Sequence, residues 1–407
     1  MYPPPPAGGR SGNLCAGSEA MRTHPQAVRR ALVAYLGLSG RVRQPFAQTV
    51  ADLGAVQMDP MRVVAQAHLL TVRLRRGPTT ETVLSRALGT GGVLEARIKE
   101  RCLVAAQDLP AAVAEFHRIR AMNLLEGRGL TQIARGLLAT LERSPRYSRE
   151  LVSEHRVASF WDEDPKSMKA TTMALDILSE EGRVIVTGRR RGERRYDLPE
   201  RLFPEWEQTI ADPARTRLAA ALHYGRTMGI FLPSDPYLGW IRSPRSERAA
   251  RRALVQELCA AGEWQELEIT GVHRGYLCTR VFAELCADPP PIRGVQLLSP
   301  LDNLLWDRQR LRDLFDFSYT WEAYTPAVKR KVGPYGMPVM VDGHLLAELD
   351  ARRDEAGVLR WRLVERARLR TSDLRRIERA VAALARDLGT VAATREQLQA
   401  SPQPVQA

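Results

Sequence analysis

Apolar residues recur with helical spacing through the first third of the chain and predict that it is mostly helical. Residues 25–53 hold two amphipathic segments, and the second closes on Gly54, a residue type common just after a helix. Further helices are expected over 61–76 and 80–88. A longer one is expected over 94–138, a segment rich in alanine, leucine and arginine.

An internal repeat divides the middle of the chain. "ALDILSEEGRVIVTGRRRGERRYDL" at 174–198 has a counterpart in "LVQELCAAGEWQELEITGVHRGYLC" at 254–278. In both, an amphipathic helix ends in glycine, a β-rich run follows, and a turn leads to a return strand. This order is the back half of a winged helix, and helices at 131–153 and 213–228 would supply the front halves. Residues 25–110 are interpreted as a third copy whose wing has degraded.

After the prolines at 289–291 the pattern changes to alternation, which predicts a small antiparallel sheet or barrel, with a last amphipathic helix over 372–388. The predicted fold class is therefore α+β, mostly α, with three tandem winged-helix domains and a β-rich C-terminal part. The predicted division is a disordered leader (1–22, with Met21 an alternative start), winged-helix domains (23–125, 126–210 and 211–290), the β-rich region with its final helix (291–390) and a disordered tail (391–407).

Composition narrows the class of protein. The 407 residues carry 60 basic against 47 acidic side chains, a formal charge of +13, and nearly all the basic ones are arginines. Since GC-rich coding can also favour arginine, the positions of the arginines matter more than their number. Five cysteines without a C-x-x-C pair favour a reducing compartment, and the scattered histidines support no metal site. Without a secretory signal or a membrane-spanning run, we expect a cytoplasmic protein, and we expect it to need no metal or cofactor.

The stretch "LGAVQMDPM" places two polar residues inside an apolar run. Pro60 disfavours a helical conformation at the residue before it, so residues 55–59 are predicted to be extended. Gln57 and Asp59 would then share one face, while the intervening apolar side chains point to the core. A carboxylate and an amide roughly 6–7 Å apart at their Cα atoms can share one water molecule, which suits general-base catalysis. The alternative is structural, with Asp59 capping a helix that begins at Pro60.

Arginines cluster at the tip of one predicted wing. "TGRRRGERRYDLPER" holds five of them where a phosphate backbone would be gripped, although a solvated run of charge is the alternative. Further candidates come from "RLRRG", from "KRK", and from a histidine close behind the Gln-Met-Asp segment, for which a structural role is the alternative. The candidate DNA-binding residues are His68, Arg73, Arg75, Arg76, Arg189, Arg190, Arg191, Arg194, Arg195, Lys329, Arg330 and Lys331.

Missing motifs argue against several enzyme classes. The chain has no glycine-rich phosphate loop, no G-x-S-x-G and no H-E-x-x-H, which argues against an ATPase, a common hydrolase and a zinc protease. Lysines are few, so a Schiff-base lyase is not expected. Two other classes stay open on these residues: a winged-helix transcription regulator that binds undamaged duplex DNA, and a scaffold whose basic wing binds RNA or an acidic partner.

Two segments together resemble the winged-helix DNA glycosylases of the YcaQ/AlkZ type. They are "LGAVQMDPMRVVAQAH" and "LLSPLDNLLWDRQRLRDLFDFSYTWEAYTPAVKRKVGPYGMPVM", and the resemblance covers residues 25–370. Leu301 departs from the phenylalanine usual in that family, and "CLVAAQDLP" lacks a histidine that relatives often carry. Both departures bear on the range of substrates more than on the reaction.

The resemblance implies three tandem winged helices that form a basic concave surface on double-stranded DNA. It also implies removal of bulky N7-alkylated purines, in some members with unhooking of interstrand crosslinks. By position, Gln57 and Asp59 correspond to the catalytic pair of the YcaQ-type branch. We therefore expect a monomeric, monofunctional glycosylase in which Asp59 activates water and stabilises positive charge on the sugar, while Gln57 orients that water.

Overall fold

In the part of the chain that the structure describes, helices alternate with five small sheets. The computed structural model describes residues 20–151, 154–159, 168–206, 213–240, 248–390 and 393–395. Its helices are α1 (Pro25–Tyr35), α2 (Phe46–Leu53), α3 (Ala67–Arg76), α4 (Glu81–Gly89), α5 (Leu109–Ala121), α6 (Leu124–Gly127), α7 (Thr131–Arg143), α8 (Ala170–Glu180), α9 (Pro213–Met228), α10 (Arg248–Ala260), α11 (Arg280–Ala287), α12 (Arg308–Phe315) and α13 (Thr371–Asp387). Its strands are β1 (Met21–Thr23), β2 (Ala55–Gln57), β3 (Val93–Arg97), β4 (Arg101–Ala105), β5 (Arg146–Tyr147), β6 (Arg156–Val157), β7 (Met168–Lys169), β8 (Ile185–Arg190), β9 (Glu193–Asp197), β10 (Ile230–Phe231), β11 (Trp264–Ile269), β12 (Tyr276–Thr279), β13 (Val295–Leu297), β14 (Gly336–Val341), β15 (His344–Arg353), β16 (Leu359–Glu365) and β17 (Ala393–Arg395).

The first sheet corrects the sequence prediction. β3 and β4 form an antiparallel hairpin, and β4 also pairs with β2 to give the order β2-β4-β3. The prediction of a helix over 94–138 is therefore wrong for its first part. A two-stranded hairpin stands where a degraded wing was expected, and the interpretation of this segment as a third winged-helix copy stays a prediction. Residues 93–96 are buried without a break, which removes the alternation by which a half-exposed strand is recognised.

The internal repeat is confirmed at the level of its elements. α8 is followed by β8 and β9, and α10 is followed by β11 and β12, each pair antiparallel. Gly182 and Gly262 lie at the two helix ends with φ of 66° and 73°, a conformation that glycine adopts without strain. The mixed α+β class is confirmed by these elements, while the division into three winged-helix domains stays a prediction.

The C-terminal region is a sheet whose first four strands are antiparallel, as predicted, and the predicted last amphipathic helix packs against it. Its order is β13-β14-β15-β16-β17, and α13 contributes Ile377, Val381 and Leu384 to the buried core. β17 pairs in parallel with β16, so the prediction of disorder from residue 391 onward is wrong at Ala393–Arg395. β1 pairs in parallel with β11, which also places the end of the predicted leader in a strand. The other residues of the predicted leader and tail lie outside the described part of the chain.

Two of the hydrophobic cores meet at β2. Ala55 packs in one core with Cys102 and Tyr224, whereas Val56 and Met58 pack in another core with α2 and α8. The strand is therefore covered on both faces where it begins. Among the described residues, none of the helices combines the length and the apolar character needed to cross a bilayer.

Candidate active site

The segment that carries Gln57 and Asp59 begins at a constrained glycine. Gly54 ends α2 with φ of 72°, and its N–H donates to Ala51 O at 3.1 Å. A Cβ at this position would overlap the hydroxyl of Thr227 on α9. Only glycine satisfies both the backbone conformation and this close approach, so the direction in which β2 leaves the helix is fixed.

Gln57 and Asp59 leave the core together at the end of β2. Val56 and Met58 are buried, whereas Gln57 and Asp59 are half-buried, which confirms the alternation predicted for this segment. The Met58 N–H donates to Arg101 O at 2.8 Å, so the extended conformation continues one residue past the strand. The amide and the carboxylate therefore lie on the same side of the chain, near the surface.

Asp59 does not cap a helix. The backbone after Pro60 stays irregular until α3, whose N-cap is Gln66, so the predicted helix over 61–76 begins only at Ala67. The Asp59 carboxylate instead accepts the Met61 N–H at 2.7 Å through Oδ1, a turn in which the side chain competes with helix formation. The structural alternative for Asp59 is therefore wrong, and its Oδ2 makes no hydrogen bond within the described part of the chain.

Burial raises the pKa of the Asp59 carboxyl, and the hydrogen bond from Met61 opposes this only in part. The negative charge of Asp59 contributes to the raised pKa of two tyrosines. Burial raises the pKa of Tyr335, and the charge of Asp59 adds to that shift. For the mostly exposed Tyr324, partial loss of solvent around the side chain and then the charge of Asp59 raise the pKa in the same direction. The Tyr335 hydroxyl donates to Ala65 O at 2.9 Å. The sequence prediction did not include these tyrosines, although both belong to the second segment that carries the resemblance.

Tyr324 stands on a loop that projects from the C-terminal sheet. Glu322 closes the base of this loop by accepting the N–H groups of Lys331, Val332 and Gly333 at 2.9–3.1 Å. Tyr324 is 82% exposed and Val328 is 93% exposed, the two most exposed large apolar side chains among the described residues. The candidates Lys329 and Lys331 are exposed beside them, while Arg330 donates to Thr325 O at 2.8 Å within the loop.

The predicted arginine cluster on the β8–β9 turn separates into two groups. Arg190, Arg191 and Arg195 keep access to solvent, and the guanidinium of Arg190 stacks 4.4 Å from the centre of the Tyr147 ring. The side chain of Arg189 is instead only 9% exposed and makes a two-bond pair with Glu95, at 2.7 and 2.8 Å. Arg194 donates to Asp176 at 2.5 Å and to the Tyr196 hydroxyl at 2.9 Å. The expectation that Arg189 and Arg194 bind phosphate is thus corrected, because acidic partners inside the protein already hold them.

The candidates on α3 are also corrected. Arg75 is 4% exposed and makes a two-bond pair with the fully buried Asp302, at 2.7 and 3.0 Å. Arg73 is 5% exposed and pairs with Asp387 at 2.6 Å. Neither guanidinium can reach DNA in this arrangement. Arg76 is partly exposed and donates to Gln44 O at 3.1 Å, which leaves it at the surface as a weaker candidate.

His68 lies inside the protein rather than at its surface. It is 1% exposed, and burial, with the nearby charge of Arg189, lowers its pKa to about 3. The ring is therefore neutral at physiological pH and has no access to a phosphate, so its assignment as a DNA-binding residue is corrected. Within the described ranges, no group of three or more His, Cys, Asp or Glu side chains could hold a metal ion.

Comparison with known proteins identifies the family and agrees with the fold. The family model described as DNA glycosylase AlkZ-like matches residues 50–389, a span that includes Gln57, Asp59 and the loop of Tyr324. Among solved structures, the Streptomyces sahachiroi DNA glycosylase AlkZ superposes with a TM-score of 0.65 over 92% of this chain and 100% of that chain, at 16% sequence identity. At that identity the superposition shows the fold alone, whereas the family match covers most of the sequence. The chain therefore belongs to the AlkZ-like DNA glycosylases, enzymes of DNA repair whose partner is DNA.

Proposed function

We propose that this DNA glycosylase hydrolyses the N-glycosidic bond of N7-alkylated purines in duplex DNA, including purines joined in interstrand crosslinks. Alkylation at N7 gives the base a positive charge, so the base leaves without needing an acid. The sugar gains positive charge as the bond lengthens. A carboxylate beside it stabilises that charge and takes a proton from the attacking water.

The observation that supports this mechanism is the free oxygen of Asp59. Oδ1 is held by the Met61 N–H at 2.7 Å, which fixes the plane of the carboxylate. Oδ2 is left available for water, and Gln57 lies on the same side of the strand. Burial favours the protonated acid, so the carboxylate is a stronger base than an exposed aspartate would be. Asp59 thus acts as base and electrostatic stabiliser, and Gln57 orients the water.

Two surfaces supply contacts to the duplex. Arg190, Arg191 and Arg195 suit a phosphate backbone, since guanidinium groups pair with phosphate oxygens. The loop between Glu322 and Gly333 presents two lysines beside exposed apolar side chains, a combination that fits a wedge inserted at a base step. The half-exposed position of Asp59 suits a crosslinked base, because such a base cannot swing into a deep pocket.

Mass spectrometry of the bases released from N7-methylguanine duplex tests the proposal. We expect free N7-methylguanine and intact abasic strands with the wild type, as a monofunctional enzyme gives. Asp59→Asn should abolish release and Gln57→Ala should slow it. Asp52→Asn is a matched control. Asp52 is an exposed carboxylate on α2, the helix before β2, and it accepts hydrogen bonds from Gln44 and Gln48, so this variant should release the base at the wild-type rate. Base release by Asp59→Asn at the wild-type rate would refute the mechanism. A second substrate, duplex DNA with an N7-linked interstrand crosslink, tests the crosslink activity; if the wild type leaves this duplex intact, crosslinks are not substrates.

A further inference from the structure

Three consecutive carbonyl groups at the start of β2 are held by side chains from distant parts of the chain. β2 is the edge strand of its sheet, so one of its sides has no strand partner. The side-chain amide of Asn303 donates to Leu53 O at 3.2 Å and to Ala55 O at 2.9 Å. The carbonyl between them, that of Gly54, lies 3.1 Å from His223 Nε2.

Each of these two side chains has a single workable orientation. The end of Asn303 that faces two carbonyl oxygens must be its NH₂ group, because its oxygen would be repelled there. The Trp240 indole N–H donates to His223 Nδ1 at 2.7 Å, so the proton of the imidazole is on Nε2 and is donated to Gly54. Burial lowers the pKa of His223 to about 4, which keeps the ring neutral and this arrangement intact at physiological pH.

The backbone of Asn303 is held by a buried arginine. Arg310 is fully buried, and it donates to Asn303 O at 3.2 Å, to Met228 O at 2.8 Å and to Ile230 O at 2.9 Å. The residue before Asn303 is Asp302, whose carboxylate is paired with α3. The backbone of Asn303 is therefore held in place by buried hydrogen bonds, and a shift of residues 53–55 would break the hydrogen bonds that its side-chain amide donates.

Buried polar groups need partners in any fold, but here the partners converge on residues 53–55, just before Gln57. We infer that Asn303 and His223 are positioning residues that hold Gln57 and Asp59 in the geometry needed for base release. This inference rests on the function proposed above. Neither residue touches the substrate; each acts through the backbone, where a displacement of about 1 Å can cost about 100-fold in rate.

Single-turnover kinetics with N7-methylguanine duplex tests the inference. The rate constant of base release reports how well the folded enzyme positions the site, whereas the amplitude reports what fraction of the enzyme is folded. Asn303→Leu keeps the side-chain volume and removes the donor. We expect its rate constant to fall about 10- to 100-fold, with the amplitude and the Kd for DNA within about twofold of wild type. Asn303→Ser keeps one donor and serves the same test should the leucine variant not fold.

Rescue at His223 gives a second readout. The amide of His223→Gln can still donate to Gly54, so this variant should retain more of the wild-type rate constant than His223→Leu. Tyr276→Phe is the control. It removes a partly buried 2.7 Å hydrogen bond to Asp313 that does not involve residues 53–55, and it should change stability without changing the rate constant.

Two failures are distinguishable. A wild-type rate constant in Asn303→Leu, with only amplitude or thermal stability reduced, would overturn the positioning role even if Asp59→Asn is inactive. Base release by Asp59→Asn at the wild-type rate would instead overturn the proposed mechanism, whatever Asn303→Leu does.

Discussion

Replacing Arg75 by methionine tests whether the basic residues of α3 stabilise the fold or bind DNA. Methionine keeps much of the aliphatic stem but leaves the carboxylate of Asp302, which has no exposed surface, without its partner. Breaking one side of a buried ion pair costs about 3–5 kcal/mol. The carbonyls of Leu36 and Thr71 also lose their donors, at 2.8 and 3.0 Å. Since a domain is stable by only about 5–15 kcal/mol, the loss should be large.

Urea unfolding followed by circular dichroism measures that loss, and fluorescence anisotropy at several salt concentrations measures DNA binding. We expect a clearly lower unfolding midpoint for Arg75→Met and an unchanged salt dependence for the protein that remains folded. Arg75→Met combined with Asp302→Leu should recover much of the stability, because a buried pair can be replaced by apolar side chains at little cost. Arg86→Met, an exposed arginine on α4, should shift stability by about 0.5 kcal/mol or less.

The opposite result would assign Arg75 to DNA binding. If Arg75→Met kept the wild-type midpoint while its DNA affinity fell and its salt slope flattened by about 0.9, Arg75 would be a phosphate contact. The buried pair with Asp302 would then contribute nothing measurable to folding.

Other outcomes can be checked in the same assays. Burial raises the pKa of Asp59, so the ionised carboxylate lowers the free energy of unfolding at any pH above the raised pKa. This destabilisation disappears as the pH falls below 3.8, the ordinary pKa of an aspartate, where the carboxyl is neutral in both the folded and the unfolded protein. Asp59→Asn should therefore raise the urea midpoint at pH 7 but not at pH 3, and wild-type base release should slow as the pH falls toward the raised pKa; an equal gain at both values would contradict this. Arg190→Ala should weaken binding to all duplexes alike and flatten the salt slope by about 0.9. Arg189→Ala should instead mainly destabilise the fold, because the buried Glu95 loses its two-bond partner and, among the described residues, keeps only the 3.7 Å ion pair with Arg101; an effect of Arg190→Ala limited to one DNA sequence would count against a phosphate contact. Gly54→Ala should lower both thermal stability and base release, since alanine is strained at φ of 72° and its Cβ meets Thr227; a wild-type melting temperature would show that the contact relaxes freely.

Periodicity predicted the elements whose exposure alternates and missed those covered on both sides. The amphipathic α1, α2 and α13 and both repeats follow the expected pattern. β3 does not, because residues 93–96 are buried on both faces and an alanine- and leucine-rich segment without alternation favours helix in isolation. The helix predicted from residue 61 is delayed by the side chain of Asp59, a competition that propensity alone does not capture.

The candidate site shows the same division. Gln57 and Asp59 could be found because local geometry places both on one face of a short extended segment. Which arginines stay available for DNA could not be predicted, because their ion-pair partners are distant in sequence. Arg75 pairs with a residue 227 positions later, and Arg189 pairs with one 94 positions earlier. Charge that appears available in the sequence is in part neutralised inside the folded protein. Asn303 and His223 escaped prediction for the same reason.

The pairing of β1 with β11 has a consequence for how the protein is made. Arg22 and its partner Glu268 are 246 positions apart, so β1 leaves the ribosome long before its neighbour exists. At about 5–20 residues per second, the wait is roughly 10 to 50 s. During that interval a strand of three residues bearing a central arginine offers little to a stray chain. Brevity and a central charge are the two features that limit pairing of an exposed strand with other chains, and β1 has both throughout synthesis of the later sheet.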